Sequence, residues 1–191
     1  MPQYILLDRD GVINRKLPGG YVTSWRDFEF LPGALEALRL LKEHGCKSLV
    51  ISNQAAVGKN LMTMAQLSHL TRRFLERVQN SGGQIHGVYY CPHTPEDDCN
   101  CRKPKPGLIL KAQKEHRFSL TDTPLIGDSE SDRLAASAAG CHFLRVEFEE
   151  MEQINSSGGA AQTSFPSLLE AVRFLLASRE ARSRRTMALV N

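Results

Sequence analysis

Tyr4-Ile5-Leu6-Leu7, followed at once by Asp8-Arg9-Asp10-Gly11-Val12-Ile13, is the stretch that decides the fold of this chain. The short apolar run closed by an acidic cluster reads as a buried strand, too short for a helix. Asp8 and Asp10 then stand two positions apart just where the extended chain turns. One carboxylate can attack while the other moves protons. A carboxylate is a workable nucleophile toward phosphorus because the acyl phosphate it forms is itself easily hydrolysed. Its neighbour can protonate the leaving oxygen and then activate the hydrolytic water.

Outward from this strand the chain alternates. Ala34, Leu35, Leu38 and Leu41 follow helical spacing, with Pro32 near the start and Gly45 just past the end. Lys47 to Ile51 is a second buried strand, ending at Ser52-Asn53-Gln54. Thr63 and Gln66 make a capping box for a helix that carries Leu67, Leu70, Phe74 and Val78 to about Gln79. After Gly82-Gly83, Ile85 to Tyr90 reads as a strand, Leu108 to His116 as a helix and Pro124 to Ile126 as a strand. Ser129 caps a helix reaching Gly140, and His142 to Val146 forms a further strand. Residues 149–164 read as a flexible connection before a last helix marked by Leu168, Leu169, Val172, Leu175 and Leu176. Strands that alternate with helices imply an α/β fold, a parallel sheet covered by helices on both faces. Such sheets bind ligands beyond the carboxyl ends of their strands.

The 191 residues, 41% hydrophobic and 24% charged, suit one soluble domain over 1–178 with a polar, flexible tail over 179–191. A net charge of +3, with Arg173, Arg179, Arg182, Arg184 and Arg185 near the end of the chain, does not make a nucleic-acid binder. The start lacks the basic and apolar regions of a secretory signal, and no apolar run approaches membrane length. A cytoplasmic monomer with a small-molecule substrate is therefore expected.

The other strand ends carry matching chemistry. Leu125-Ile126-Gly127-Asp128 ends in an acid, with Asp132 four residues on, placed to reach a metal through water or to orient its neighbours. Paired carboxylates repel a phosphate dianion, so the site needs a cation; Mg²⁺ held by Asp8, Asp10 and Asp128 is the natural one. Ser52 offers a hydroxyl to the phosphoryl oxygens, and Lys103 a compact charge for the transition state. Taken singly, Asp10-Gly11 is a turn, Asp128-Ser129 a helix cap, Ser52 the start of a polar loop and Lys103 a surface charge. Their order and placement at strand ends favour the catalytic reading.

Of five cysteines, Cys46 and Cys141 stand alone beside strands and read as packing residues. Cys91, His93, Cys99 and Cys101 form a CxH…CxC set that suits a closed, tetrahedral, structural Zn²⁺ site. Because Cys101 immediately precedes Arg102 and Lys103, the ion would anchor the loop that presents both cations.

The ordered set DxDGxI, a strand-terminal Ser, a Lys before Pro and GDxxxD resembles the haloacid dehalogenase-like (HAD) phosphatases, which implies a Rossmann-like fold, Mg²⁺ dependence, Asp8 as nucleophile and Asp10 as acid/base. Gly20-Tyr21-Val22, Phe28-Glu29-Phe30-Leu31-Pro32-Gly33, Tyr89-Tyr90-Cys91-Pro92-His93 and Cys101-Arg102-Lys103-Pro104-Lys105-Pro106-Gly107 look like the D-glycero-D-manno-heptose 1,7-bisphosphate 7-phosphatases. That resemblance implies no large cap domain, substrate recognition by loops that include the zinc loop, and a part in making nucleotide-activated heptose for lipopolysaccharide or surface glycans. It also implies that Arg102 recognises the substrate, that Lys103 and Ser52 stabilise the transferring phosphoryl group, and that Gly19, Gly20, Tyr21, Asn53 and Gln54 line the sugar site. Ala55-Ala56, the longer loop at Lys16-Leu17-Pro18 and Ser129 after Gly-Asp depart from the family pattern. Histidinol-phosphate phosphatase is the nearest rival. A nucleic-acid 3'-phosphatase and a non-catalytic sugar-phosphate binding protein are more distant ones.

Overall fold

The computed structural model describes the backbone of residues 3–148 and 164–188, with side chains to 178. Six parallel strands, β1 (Tyr4–Leu7), β2 (Lys47–Asn53), β3 (Gly87–Cys91), β4 (Pro124–Gly127), β5 (His142–Val146) and β6 (Ser164–Phe165), form one sheet in the order β3-β2-β1-β4-β5-β6. The helices are α1 (Ala34–Glu43), α2 (Met64–Asn80), α3 (Gly107–His116), α4 (Glu130–Ala139) and α5 (Leu168–Ala188).

The period of two along a strand divides the core. From β1, Ile5 and Leu7 pack with Leu38 and Leu41 of α1, Leu70 and Phe74 of α2 and Leu168 and Val172 of α5. Tyr4 and Leu6 point to the other face, against Leu108 and Ile109 of α3 and Ala135 and Ala136 of α4. Strands buried on both faces leave the chemistry to their carboxyl ends. β1 lies between β2 and β4, so the strand order reverses there, and Asp8 begins at that switch point.

The expected elements are present with small shifts. Thr63 caps α2 by accepting from Gln66 N at 3.1 Å, and Ser129 caps α4. β2 runs on to Asn53 and β3 starts later, at Gly87. The two-residue β6, too short to leave a pattern, was not foreseen; it pairs with β5 through Arg145–Ser164 and Val146–Phe165. α5 continues to Ala188, so the backbone of 179–188 within the expected tail is helical. The expected flexible connection falls, apart from Ser164, outside the described residues. Cys46 and Cys141 are buried in the core, as read. No helix among the described residues is long and apolar enough to cross a membrane.

Candidate active site

Lys103 is the hub. Only 3% exposed, its Nζ donates to Asp8 Oδ1 at 2.8 Å, to the Ile51 carbonyl at 2.8 Å and to Asp132 Oδ1 at 2.5 Å. One ammonium thus ties the ends of β1 and β2 to the start of α4. Asp132 is fully buried, and its second oxygen accepts from Ser129 Oγ and Ser129 N at 2.5 and 3.1 Å. Ser129 therefore caps α4 and also holds the carboxylate that bonds Lys103, so the cap and the acidic cluster are parts of one turn.

Asp8, Asp128 and Asp132 place carboxylate oxygens within 4.8 Å of one another. Burial and the neighbouring Asp132 and Asp128 charges push Asp8 up to about 7, although Lys103 pulls the other way. Burial favours the neutral form of Lys103, but the Asp8 and Asp132 charges outweigh it and push the ammonium up to about 12. Three carboxylates share one buried ammonium, which leaves the cluster short of positive charge. Burial likewise raises Asp128, opposed by Lys16, whose Nζ lies 3.0 Å from Asp128 Oδ2. Asp8 Oδ2 and Asp128 Oδ1 have no hydrogen-bond partner among the described residues, whereas both oxygens of Asp132 do. Hard, neighbouring, unpartnered oxygens in a charge-poor cluster suit Mg²⁺. Gly11 makes the approach possible: at φ +94° it sits where a Cβ would collide with the Asp128 carboxylate.

Asp10 is held apart from that cluster. Its Oδ1 accepts from Arg9 Nη2 at 3.0 Å and Asn14 Nδ2 at 2.9 Å, and its Oδ2 accepts from Gln54 Nε2 at 2.7 Å. Burial pushes this carboxyl up, but the Arg9 charge and the three donors outweigh it and hold Asp10 below its ordinary range. Arg9 is fully buried, with Phe28 and Tyr90 rings 5.8 and 5.6 Å from its guanidinium carbon. Gln54 Nε2 also donates to Ser52 Oγ at 3.0 Å, which draws Ser52 into the same network. Asn53 reaches the other way: its amide donates to the Lys103 carbonyl at 3.0 Å and accepts from Lys103 N at 3.1 Å.

The zinc-type ligands converge. Sγ–Sγ separations are 3.6 Å for Cys91–Cys99, 3.3 Å for Cys91–Cys101 and 3.4 Å for Cys99–Cys101. His93 Nδ1 lies 3.5 Å from Cys91 Sγ and 3.3 Å from Cys101 Sγ. Thiolates about 2.3 Å from a tetrahedral zinc stand roughly 3.7 Å apart, so the set is close to the spacing that the ion imposes. Arg102 follows directly and donates from Nη1 to the His93 carbonyl at 3.1 Å.

The structure thus gathers Asp8, Asp10, Ser52, Lys103 and Asp128 at one end of the sheet, and the four zinc-type ligands beside them. Tyr21 lies under Lys59, with the ammonium 5.3 Å from the ring centroid. Gly19 borders open space, whereas a Cβ at Gly20 would lie 3.5 Å from Leu17 Cβ. Arg9, Asn14, Lys16 and Lys59 were not singled out as site residues by sequence reasoning. Arg9 carried a usable signal, a charged residue between two candidate catalytic acids; the others carried none.

Comparison with known proteins fits this geometry. A family model described as HAD-hydrolase-like matches residues 100–163. A D-glycero-beta-D-manno-heptose-1,7-bisphosphate 7-phosphatase of Helicobacter pylori is 44% identical over 132 residues, covering 69% of this chain and 75% of that protein. A D-glycero-alpha-D-manno-heptose-1,7-bisphosphate 7-phosphatase of Mycobacterium bovis is 39% identical over 190 residues, covering 95% of this chain and 94% of that protein. The chain belongs to the heptose-1,7-bisphosphate 7-phosphatase family. The crystal structure of a family member from B. bronchiseptica, a D,D-heptose 1,7-bisphosphate phosphatase complexed with magnesium and phosphate, superposes with a TM-score of 0.83 at 29% identity, covering 92% of this chain and 98% of that one.

Proposed function

We propose that this chain is a phosphatase that removes the C7 phosphate of D-glycero-D-manno-heptose 1,7-bisphosphate, in the synthesis of nucleotide-activated heptose. The observation that carries the reading is Asp8 at the switch point of the sheet, beside a buried Lys103, in a chain aligned along 190 residues with a heptose-bisphosphate 7-phosphatase. Relatives and a structural neighbour named as heptose-bisphosphate phosphatases do not favour histidinol phosphate or a non-catalytic binder.

The chemistry proceeds in two displacements. Asp8 attacks phosphorus, the bond to the sugar oxygen breaks, and that oxygen takes a proton from Asp10. Lys103, with the Ser52 hydroxyl, meets the charge of the phosphoryl group in transit. In the free site the donors around Asp10 favour its ionised form; an arriving phosphate dianion raises its affinity for the proton that it must deliver. Asp10, ionised once more, then takes a proton from water, which attacks phosphorus and regenerates Asp8. Asp8 and Asp128 would hold Mg²⁺, whose part is to neutralise charge on the phosphate and on the nucleophile. With its side chain committed to Arg9, Asn14 and Gln54, Asp10 would add to the metal through its main chain. Cys91, His93, Cys99 and Cys101 would hold Zn²⁺ as a structural clamp. Arg102 takes the second phosphate, and Gly19, Gly20 and Tyr21 border the sugar, while the bonds of Asn53 and Gln54 cast these two as supports of the floor. The enzyme acts as a cytoplasmic monomer with one domain over 1–178, a reading supported by cysteines that suit a reducing compartment.

The test is phosphate release with Mg²⁺ from both anomers of the heptose bisphosphate and from histidinol phosphate. Turnover of a heptose bisphosphate well above histidinol phosphate, abolished in Asp8→Asn, is the expected result. Preference for histidinol phosphate would overturn the substrate, and an active Asp8→Asn would overturn the mechanism.

A further inference from the structure

Lys59 has no part in the network below it, yet its position is closely fixed. The loop after β2 is stitched to the zinc loop along its length. Gln54 N donates to the Cys91 carbonyl at 2.7 Å, and Gly58 N donates to the Pro92 carbonyl at 2.9 Å. A Cβ at Gly58 would lie 2.8 Å from that carbonyl oxygen and 2.9 Å from Thr94 Cγ2, so the two loops meet at a distance that only glycine allows. Lys59 N then donates to the Ala55 carbonyl at 2.9 Å, and Asn60 turns the chain in the left-handed region at φ 56°.

What the clamp presents is a second positive group. The Lys59 ammonium rests on the Tyr21 ring at 5.3 Å, and no carboxylate of the described residues lies within ion-pair distance of it. Lys59 directly follows the Gly58 that is bonded to the Pro92 carbonyl, and Arg102 is bonded to the adjacent His93 carbonyl, so the two cations flank one stretch of the same loop. Arg102 spends one donor on the His93 carbonyl and likewise has no carboxylate partner among the described residues. Lys103, next in sequence, points into the buried site. Among the described residues the rim thus carries two cations without a partner carboxylate, apart from the buried Lys103.

We propose that Lys59, seated on Tyr21, is a specificity residue that joins Arg102 in binding the substrate phosphate that is not cleaved. This rests on the bisphosphate reading given above. The ammonium supplies a point charge and the guanidinium a pair of parallel donors, so together they can enclose a dianion that neither neutralises alone. The aromatic face restricts the lysine at little cost in solvation, which preorganises a long side chain that would otherwise lose entropy on binding. A lysine that was only a solvated surface charge would make no distinction between substrates with and without a second phosphate.

The experiment compares kcat/KM for heptose 1,7-bisphosphate and heptose 7-phosphate in the wild type, Lys59→Ala, Lys59→Arg, Arg102→Ala and the Lys59→Ala/Arg102→Ala double variant. Lys59→Ala should lower kcat/KM for the bisphosphate by about tenfold, mostly through KM, and change the monophosphate by less than about twofold. Lys59→Arg should restore most of the loss. The double variant should lose less than the product of the two single losses, since both side chains serve one phosphate. Equal losses on the two substrates, no loss on either, or no rescue by arginine would overturn the inference. The parent reading is tested separately by the wild type: equal turnover of both substrates would overturn it and this inference with it. A wild type that prefers the bisphosphate, with Lys59→Ala keeping that preference, would overturn the role of Lys59 alone.

Discussion

The floor of the site and its rim are built in opposite ways. On the floor, Asp8, Lys103 and Asp132 are buried, paired to one another and held by three backbone elements. On the rim, Tyr21 is 37% exposed and Lys59 lies over it, carried by a segment whose main chain bonds to a loop gathered by three cysteines and a histidine. Removing one charge from the floor leaves others buried without a partner. Removing one from the rim returns a surface to water. The floor should therefore couple chemistry to stability, whereas the rim should set affinity and leave the chemistry intact.

Lys103→Met tests the contrast at its strongest. The variant leaves Asp8 and Asp132 buried without their shared donor, and breaking a buried pair in this way costs about 3–5 kcal/mol. Turnover should be lost and the urea midpoint should fall sharply when no magnesium is added. A stable but inactive variant would show that the ammonium serves the reaction and not the fold.

A zinc ligand lies between the two extremes. The purified protein should carry one zinc per chain, and Cys99→Ser should lose it, lower the melting temperature and raise KM several-fold more than it lowers kcat. Metal analysis with steady-state kinetics checks this. A fall in kcat with KM unchanged would mean that the clamp acts on the floor through Lys103 and not on the rim.

How far these regions could be read from the sequence follows the same division. Strand ends were legible because apolar runs stop abruptly at Asp8, Ser52 and Asp128, and the CxH…CxC spacing marked residues that the fold brings together. The capping pairs Thr63/Gln66 and Ser129/Asp132 behaved as local chemistry dictates. Asp132 was foreseen as an orienting group, but its partner was not, because Lys103 is 29 residues away in the sequence and only the fold joins them. Arg9 and Asn14 escaped notice for a related reason: whether a polar side chain turns inward to Asp10 or out to water is decided by the fold, for Arg9 by Phe28 and Tyr90, which lie far along the chain. Asn53 and Gln54 fell at the right place, yet their amides are spent on Lys103, Asp10 and Ser52, a distinction that spacing does not encode. Lys59 gave no signal, since a lysine in a polar loop looks the same with or without an aromatic ring beneath it.

The smallest expected effect probes the seam between the loops. Gly58→Ala forces the Pro92 carbonyl and Thr94 to give way, because its Cβ would arrive 2.8 Å from a backbone oxygen. KM for the bisphosphate should rise by about two- to fivefold with kcat nearly unchanged, a loss of roughly 0.5–1 kcal/mol. A change confined to kcat would show that the seam supports the floor instead.

The central claim is that Asp8 carries the phosphoryl group, and the most direct measurement traps it there. Enzyme turning over heptose 1,7-bisphosphate with Mg²⁺ is quenched rapidly and treated with borohydride, which reduces an acyl phosphate to an alcohol and so converts the phosphorylated aspartate to homoserine. Peptide mass mapping then locates the change. The account predicts homoserine at position 8, dependent on substrate and absent from Asp8→Asn. Homoserine at Asp10, or none at either position during active turnover, would contradict it.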